Sequence, residues 1–245
     1  MMYKVRELKS AFTNGYARLR LFATGFLMGV SVNWISKNNN FIFDGSDSFF
    51  RSNVHFSDLF SRKYFNQGKM LFEKFSRLSP NITSKEWNSE ANLSGFLYSY
   101  ILTNKPKIII ETGVANGIST QIILTALEEV GGYLHSFDIL PESEKIAQNY
   151  RNWEFHLLPK HNTKSHLENS VKRIGFCDLW LHDSNHGSNW QTFEYNLALQ
   201  QLNPSGILFS DDIDASPAWG NFSKNRKNPS IAIFDSRKFF GFTLK

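Results

Sequence analysis

The chain has 245 residues, 41% of them hydrophobic and 20% charged, enough for one large domain with a substantial core. Its single cysteine, Cys177, excludes an intrachain disulfide framework, sits in an apolar run as a core residue would, and fits a reducing, cytoplasmic setting. The net charge of +5 lies at one end: residues 1–80 hold 12 Lys/Arg against 5 Asp/Glu and the remainder 15 against 17, which reads as a solvated basic face of the N-terminal segment with no clear nucleic-acid footprint.

In chain order, the most apolar stretch comes first, LFATGFLMGVSVNWI at residues 21–35. Arg18 and Arg20 precede it, as basic residues precede a signal peptide, but no small-residue cleavage site follows cleanly. It falls short of the roughly 20 apolar residues a spanning helix needs. A helix buried against the main domain or in a dimer is expected, with a membrane-surface role as the alternative. SKNNNFIFDGSDS, 36–48, reads as a loop, and FSDLFSRKYFNQGKMLFEKFSRL, 56–78, as a helix. Twelve of the 23 phenylalanines fall in residues 1–80, so this segment buries something. Residues 1–82 are read as an N-terminal helical extension, a lid or a homo-oligomer contact, and 83–245 as the main domain.

TSKE, from residue 83, has the form of a capping box opening a helix that stops before Pro106. Strand and helix patterns then alternate: KIIIE, STQIILTALEEV, YLHSFD, ESEKIAQNYR, WEFHLL, a helix near 164–173, CDLWLHD, NWQTFEYNLALQQL (opened by Ser188-x-x-Gln191) and GILFSDD. SIAIFD and KFFGFTL flank Ser236-Arg237 as an antiparallel pair. This order predicts an α/β fold: a Rossmann-like, doubly wound, mostly parallel sheet with a C-terminal antiparallel strand pair and the N-terminal helical extension.

Ligands of such sheets bind beyond the carboxyl ends of the strands. Those ends read Glu111, Asp138, His182-Asp183 and Asp211-Asp212, a run of acids that packing alone does not require. Helix capping could account for Asp212 or Asp214, and poorly for Glu111, which a glycine turn follows. That turn, ETGVANGIST from Glu111, lacks the G-x-G-x-x-G spacing and the Gly-Lys-Ser/Thr ending of a Walker loop. A carboxylate at its mouth would repel a pyrophosphate and suit a ligand that carries positive charge.

The turn resembles the first motif of the class I S-adenosylmethionine-dependent methyltransferases, and Asp138 in HSFD matches their second, ribose-binding acid. The resemblance covers roughly residues 90–245. It implies a cofactor site made of Glu111, Gly113, Ala115, Asn116, Gly117, Ser119, Asp138 and Asp183. The form E-T-G-x-x-x-G-x-S looks closest to the metal-dependent small-molecule branch, the catechol-type and the sugar and antibiotic O-methyltransferases. LWLHDSNHG and NPSGILFSDDID match the fourth and fifth strand ends of that branch, although Ser184 and Ser205 stand where glycine is common. This implies a divalent cation, Mg²⁺ first, held by Asp183, Asp211 and Asp212, with Asp183 and His186 as the catalytic pair; oxygen ligands suit that ion. His186 could equally orient Asp183 or stack on substrate. His182 should point to the opposite face of its strand. The implied activity is methylation of a small-molecule hydroxyl. The alternatives are a non-catalytic binding module on the same fold and an RNA methyltransferase that uses the basic segment.

Overall fold

The computed structural model describes residues 40–43, 45–52, 56–84, 88–224 and 226–245. The apolar stretch at 21–35, and most of what was read as an N-terminal extension, lie outside them. Five strands run parallel: β2 (Ile108–Thr112), β3 (Tyr133–Asp138), β4 (Trp153–Leu157), β5 (Cys177–His182) and β6 (Leu202–Ser210). β8 (Lys238–Leu244) is antiparallel to both β6 and β7 (Ser230–Asp235), and β1 (Asn40–Phe43) pairs in parallel with β7. The sheet order is β1-β7-β8-β6-β5-β2-β3-β4, as the mostly parallel, doubly wound reading requires. The chain winds outward from β2 through β4 and then returns to β5 on the other side of β2, so the order reverses between β2 and β5.

The central strands read as unbroken apolar runs because both faces are covered. Ile109, Leu179, Leu181, Ile207 and Phe209 enter one core cluster; Ile110, Trp180 and Leu208 alternate into the other. The first cluster includes residues of α2 (Arg62–Leu78), α3 (Ala91–Asn104) and α4 (Ile118–Val130). The second includes residues of α5 (Thr163–Ile174), α6 (Ser188–Gln201) and α7 (Ala218–Lys224). No helix of the described residues is long and apolar enough to cross a membrane.

The phenylalanine-rich segment is a wall of the first cluster. The Phe96 ring lies 5.0 Å from those of Phe49, Phe60 and Phe65, and Phe242 is 5.2 Å from Phe60. α2 crosses α3 closely: a Cβ on Gly68 would lie 2.9 Å from the Gly95 Cα.

Several local readings need correction. The expected loop at 36–48 holds strand β1 and the start of α1 (Ser46–Arg51). The helix read over 56–78 is a 3₁₀ turn, Ser57–Leu59, followed by α2 from Arg62. TSKE does not open α3. The helix starts at Ala91, and its Asn92 and Leu93 amides donate to the Asp235 carboxylate at 3.1 and 2.8 Å. A carboxylate from the end of β7 thus replaces the local cap. ESEKIAQNYR forms only a short 3₁₀ helix, Pro141–Ile146. Gly187, not Ser188, is the N-cap of α6, and the Gln191 side chain instead donates through Nε2 to the Asp212 carbonyl at 3.3 Å.

Candidate functional site

The glycine turn sits at the end of β2, beside the reversal in strand order. Gly113 has φ +87°, and a Cβ there would lie 2.0 Å from the Asp183 carbonyl oxygen, so the β5 end can approach only a glycine. Gly117, at φ +73°, similarly abuts Ile146, with 2.2 Å from an added Cβ to Cγ2. Ala115 takes a left-handed conformation, φ 47°, without being glycine.

Acids hold this turn from both sides. Asp138, at the end of β3, accepts the Val114 and Ala115 amides at 2.7 and 2.9 Å with one oxygen and the Leu140 amide at 2.9 Å with the other. Glu111 is fully buried. Its carboxylate accepts the hydroxyls of Ser119 at 2.7 Å, Thr120 at 2.8 Å and Ser136 at 2.7 Å, so Glu111 and Ser119 bond each other. Asn116 binds the Thr83 amide at 2.8 Å and the Asn88 side chain at 2.8 Å, which ties the turn to the strip before α3. On that strip the hydroxyls of Thr83 and Ser89 are buried with no hydrogen-bond partner among the described residues.

Burial pushes the Glu111 carboxyl up to about 7 against three hydroxyl donors, and the nearby Asp138 charge adds to the rise. The unfolded chain therefore loses this proton first as pH climbs from the ordinary value of 4.5. Across 4.5 to about 7 the folded state loses stability, and the loss is complete above that window. Glu111→Gln should remove this slope. The stability difference, wild type minus variant, should fall by a few kcal/mol from pH 4.5 to 7.5, measured by urea denaturation. A pH-independent difference would contradict the assignment.

The second half of the site lies at the ends of β5 and β6. Asp183, Asp211 and Asp212 converge there as expected, but with an occupant the sequence reading missed. Lys238, at the start of β8, is 2% exposed; its ammonium is ion-paired with Asp211 and lies 3.0 Å from Asp212 Oδ2. Its Nζ also donates to the Asn88 carbonyl at 3.4 Å. Burial opposes the charge on Lys238, but Asp211, Asp212 and Asp183 outweigh it and hold the ammonium protonated far above its ordinary range. Burial, followed by the Asp211 charge, drives the Asp183 carboxyl well above the usual carboxylate range. Asp212 is pushed up by burial too, but Lys238 and His186 bring it below the usual carboxylate range. It sits at φ 47°, a strained conformation of the kind that collects at functional sites.

His186 completes the cluster: Nε2 lies 3.4 Å from Asp212 Oδ2 and 3.9 Å from Asp183 Oδ1. Burial lowers its pKa, partly offset by Asp212, so the ring is neutral at pH 7. Behind it, buried His182 pairs through Nδ1 with Glu194 on α6, and its ring meets that of His186 edge-on at 5.6 Å. Glu194 also takes bonds from Thr112 at 2.9 Å, Ser184 at 3.0 Å and Trp190 at 2.8 Å. His182 thus underlies the site, a role that strand alternation did not suggest. A lysine opening an apolar strand was a readable signal for Lys238, because a buried lysine needs an acid. The Glu194 contacts depend on helix placement and had no local sign. A further group, His135, Glu154 and His156, could hold a metal ion, and it lies on β3 and β4, across β2 from this cluster.

Residues 110–213 match the family model described as a methyltransferase domain. No curated protein matches the chain. Among solved structures it resembles an O-methyltransferase from Bacillus cereus, solved in complex with SAH, at 14% identity and a TM-score of 0.51 over 81% of this chain and 96% of that one. It also resembles the O-methyltransferase TomG from Streptomyces achromogenes, in complex with SAM, at 15% identity and a TM-score of 0.51, covering 87% and 96%. The methyltransferase PaMTH1 from Podospora anserina, SAH-bound, is similar at 13% identity and a TM-score of 0.51, covering 81% and 93%. Sheet order and the solved structures agree on the fold, and residues 110–213 are similar to a methyltransferase domain.

Proposed function

We propose that the protein transfers the methyl group of S-adenosylmethionine to a hydroxyl of a small molecule. The observation that carries this reading is the facing of two structures across the β2/β5 reversal: the glycine turn with Asp138, and the His186–Asp183–Asp212 cluster. The first fits the cofactor's polar groups. A carboxylate that is 8% exposed stands at the β3 end, the α4 N-terminus follows the turn, and the buried hydroxyls of Thr83 and Ser89 lack partners among the described residues. Asp138 would accept the ribose hydroxyls, Gly113 to Gly117 would line the cofactor's path, and Glu111 would set the turn by gripping Ser119 and Thr120. When bound, S-adenosylmethionine supplies an electrophilic methyl for in-line displacement.

His186 would take the proton of the acceptor hydroxyl, with Asp212 beside its Nε2 to stabilise the imidazolium. Asp183, whose Oδ1 lies 3.9 Å from His186 Nε2, would help to position the acceptor hydroxyl. Positioning of oxygen against methyl supplies most of the rate. The expected divalent cation has no part here, because an ammonium stands among its ligands. A homo-oligomer contact through the N-terminal segment remains part of the proposal.

The test is a panel of phenolic and sugar hydroxyl acceptors, assayed for SAH release. His186→Ala should cut turnover about 10²- to 10⁴-fold, the range for a general base, and leave SAH affinity within a few-fold. Undiminished turnover in that variant would remove His186 as base. A second variant probes the cofactor half: Asp138→Ala should weaken SAH binding by about 1.5–3 kcal/mol, the scale of charge-assisted hydrogen bonds, and unchanged calorimetric affinity would exclude Asp138.

A further inference from the structure

We propose that Lys238 permanently fills the position a divalent cation would take, so that the Asp183–Asp211–Asp212 cluster is complete without metal and the acceptor oxygen is bound by side chains alone. The inference deepens the proposed function and rests on it for the role of the acceptor.

Three carboxyl groups packed at two strand ends demand positive charge. In this chain β8 delivers it from inside. The β6–β8 register, Ser210 opposite Gly241, carries the start of β8 past the end of β6 to Asp211 and Asp212. Lys238 shares its strand face with Phe240 and Phe242, which are buried in the first core cluster, so its stem is packed and its head has one direction to go. An ammonium has three protons and no acceptor capacity. Asp211, Asp212 and the Asn88 carbonyl receive them. No donor is left over for a ligand.

The consequence is chemical. A six-coordinate cation at this point would keep open positions for water or substrate oxygens and could chelate two neighbouring oxygens of an acceptor. The saturated ammonium offers none. Lys238 is therefore a positioning residue: it fixes Asp212, whose oxygen lies 3.4 Å from His186, and the acceptor is held by His186, Asp183 and Asp212 instead. Acceptors with a single hydroxyl meet every requirement of the site. A divalent ion does not fit among the acids while the ammonium is there, since the two cations would share the same oxygens.

The experiment uses the full-length chain stripped with EDTA and titrated with Mn²⁺ alone, following the free-ion electron paramagnetic resonance signal, with SAH calorimetry run in parallel. Wild type should sequester no Mn²⁺ through these acids, and its SAH affinity should be the same with and without chelator. Lys238→Met should sequester one Mn²⁺ per chain, and the added change Asp211→Asn should abolish that uptake. Stoichiometric Mn²⁺ uptake by wild type that Asp211→Asn or Asp212→Asn removes would overturn the proposal. So would a folded, SAH-binding Lys238→Met that takes up none. If Lys238→Met fails to fold, the wild-type titration decides alone. The metal result stands whether or not SAH binds, so failure of the methyltransferase reading appears separately, in the calorimetry.

Discussion

Gly113→Ala should lose roughly 2–5 kcal/mol of stability and all measurable binding of SAH. Two costs add. A left-handed φ of +87° costs a side chain about 1–2 kcal/mol. The new methyl would also lie 2.0 Å from the Asp183 carbonyl oxygen and 2.5 Å from its carbon, an overlap with backbone that no rotamer relieves. Overpacking of this kind adds about 1–3 kcal/mol. Neither partner can move cheaply: the Gly113 amide donates to the Phe137 carbonyl at 2.8 Å, and the Asp183 amide to the Thr112 carbonyl at 2.8 Å. Relief would open the sheet at the β2/β5 junction, where both halves of the site meet. Gly131→Ala is the control. Its φ is +75° but nothing lies within 4 Å of an added Cβ, so only the conformational cost applies. Equal urea-denaturation losses for the two variants would show that the close approach does not matter.

Lys238→Met should be comparably severe, about 3–5 kcal/mol at neutral pH, because removing one member of a buried ion pair leaves its partner charged and unpaired. Asp211 is 1% exposed and has no route to solvent. The loss should shrink in acid, where the carboxylates can take up protons, and the double variant Lys238→Met/Asp211→Asn should lose less than the two single losses combined. Strict additivity would mean that Lys238 and Asp211 are not coupled and that the cluster needs no internal cation.

The sheet was legible in the sequence because each central strand is an apolar run ended by an acid or a glycine, and each of the longer helices in the alternation showed its period. Gly113 and Gly117 announced the turn through their spacing. What escaped was set by distance along the chain. TSKE offered a complete local cap, yet α3 is capped by Asp235 from the far end of the domain. FIF looked like a loop between asparagines and glycine because four residues at a sheet edge carry almost no period of their own. In the site, strand ends revealed the acids but not their bonding. Three converging carboxylates imply a positive partner, and neither their spacing nor their identity tells a metal ion from Lys238, which arrives on a strand running the opposite way. The Glu194 link to His182, Ser184 and Thr112 exists only once α6 lies against β5.

The β2 turn and Asp138 are proposed to form a site for S-adenosylmethionine. Isothermal titration of the intact protein with SAH, and separately with NAD, tests it most directly. One SAH should bind per chain, about tenfold to a hundredfold more weakly in Asp138→Ala, and NAD should not bind tightly. Tight NAD binding, or no SAH binding by a folded wild-type protein, would contradict this assignment.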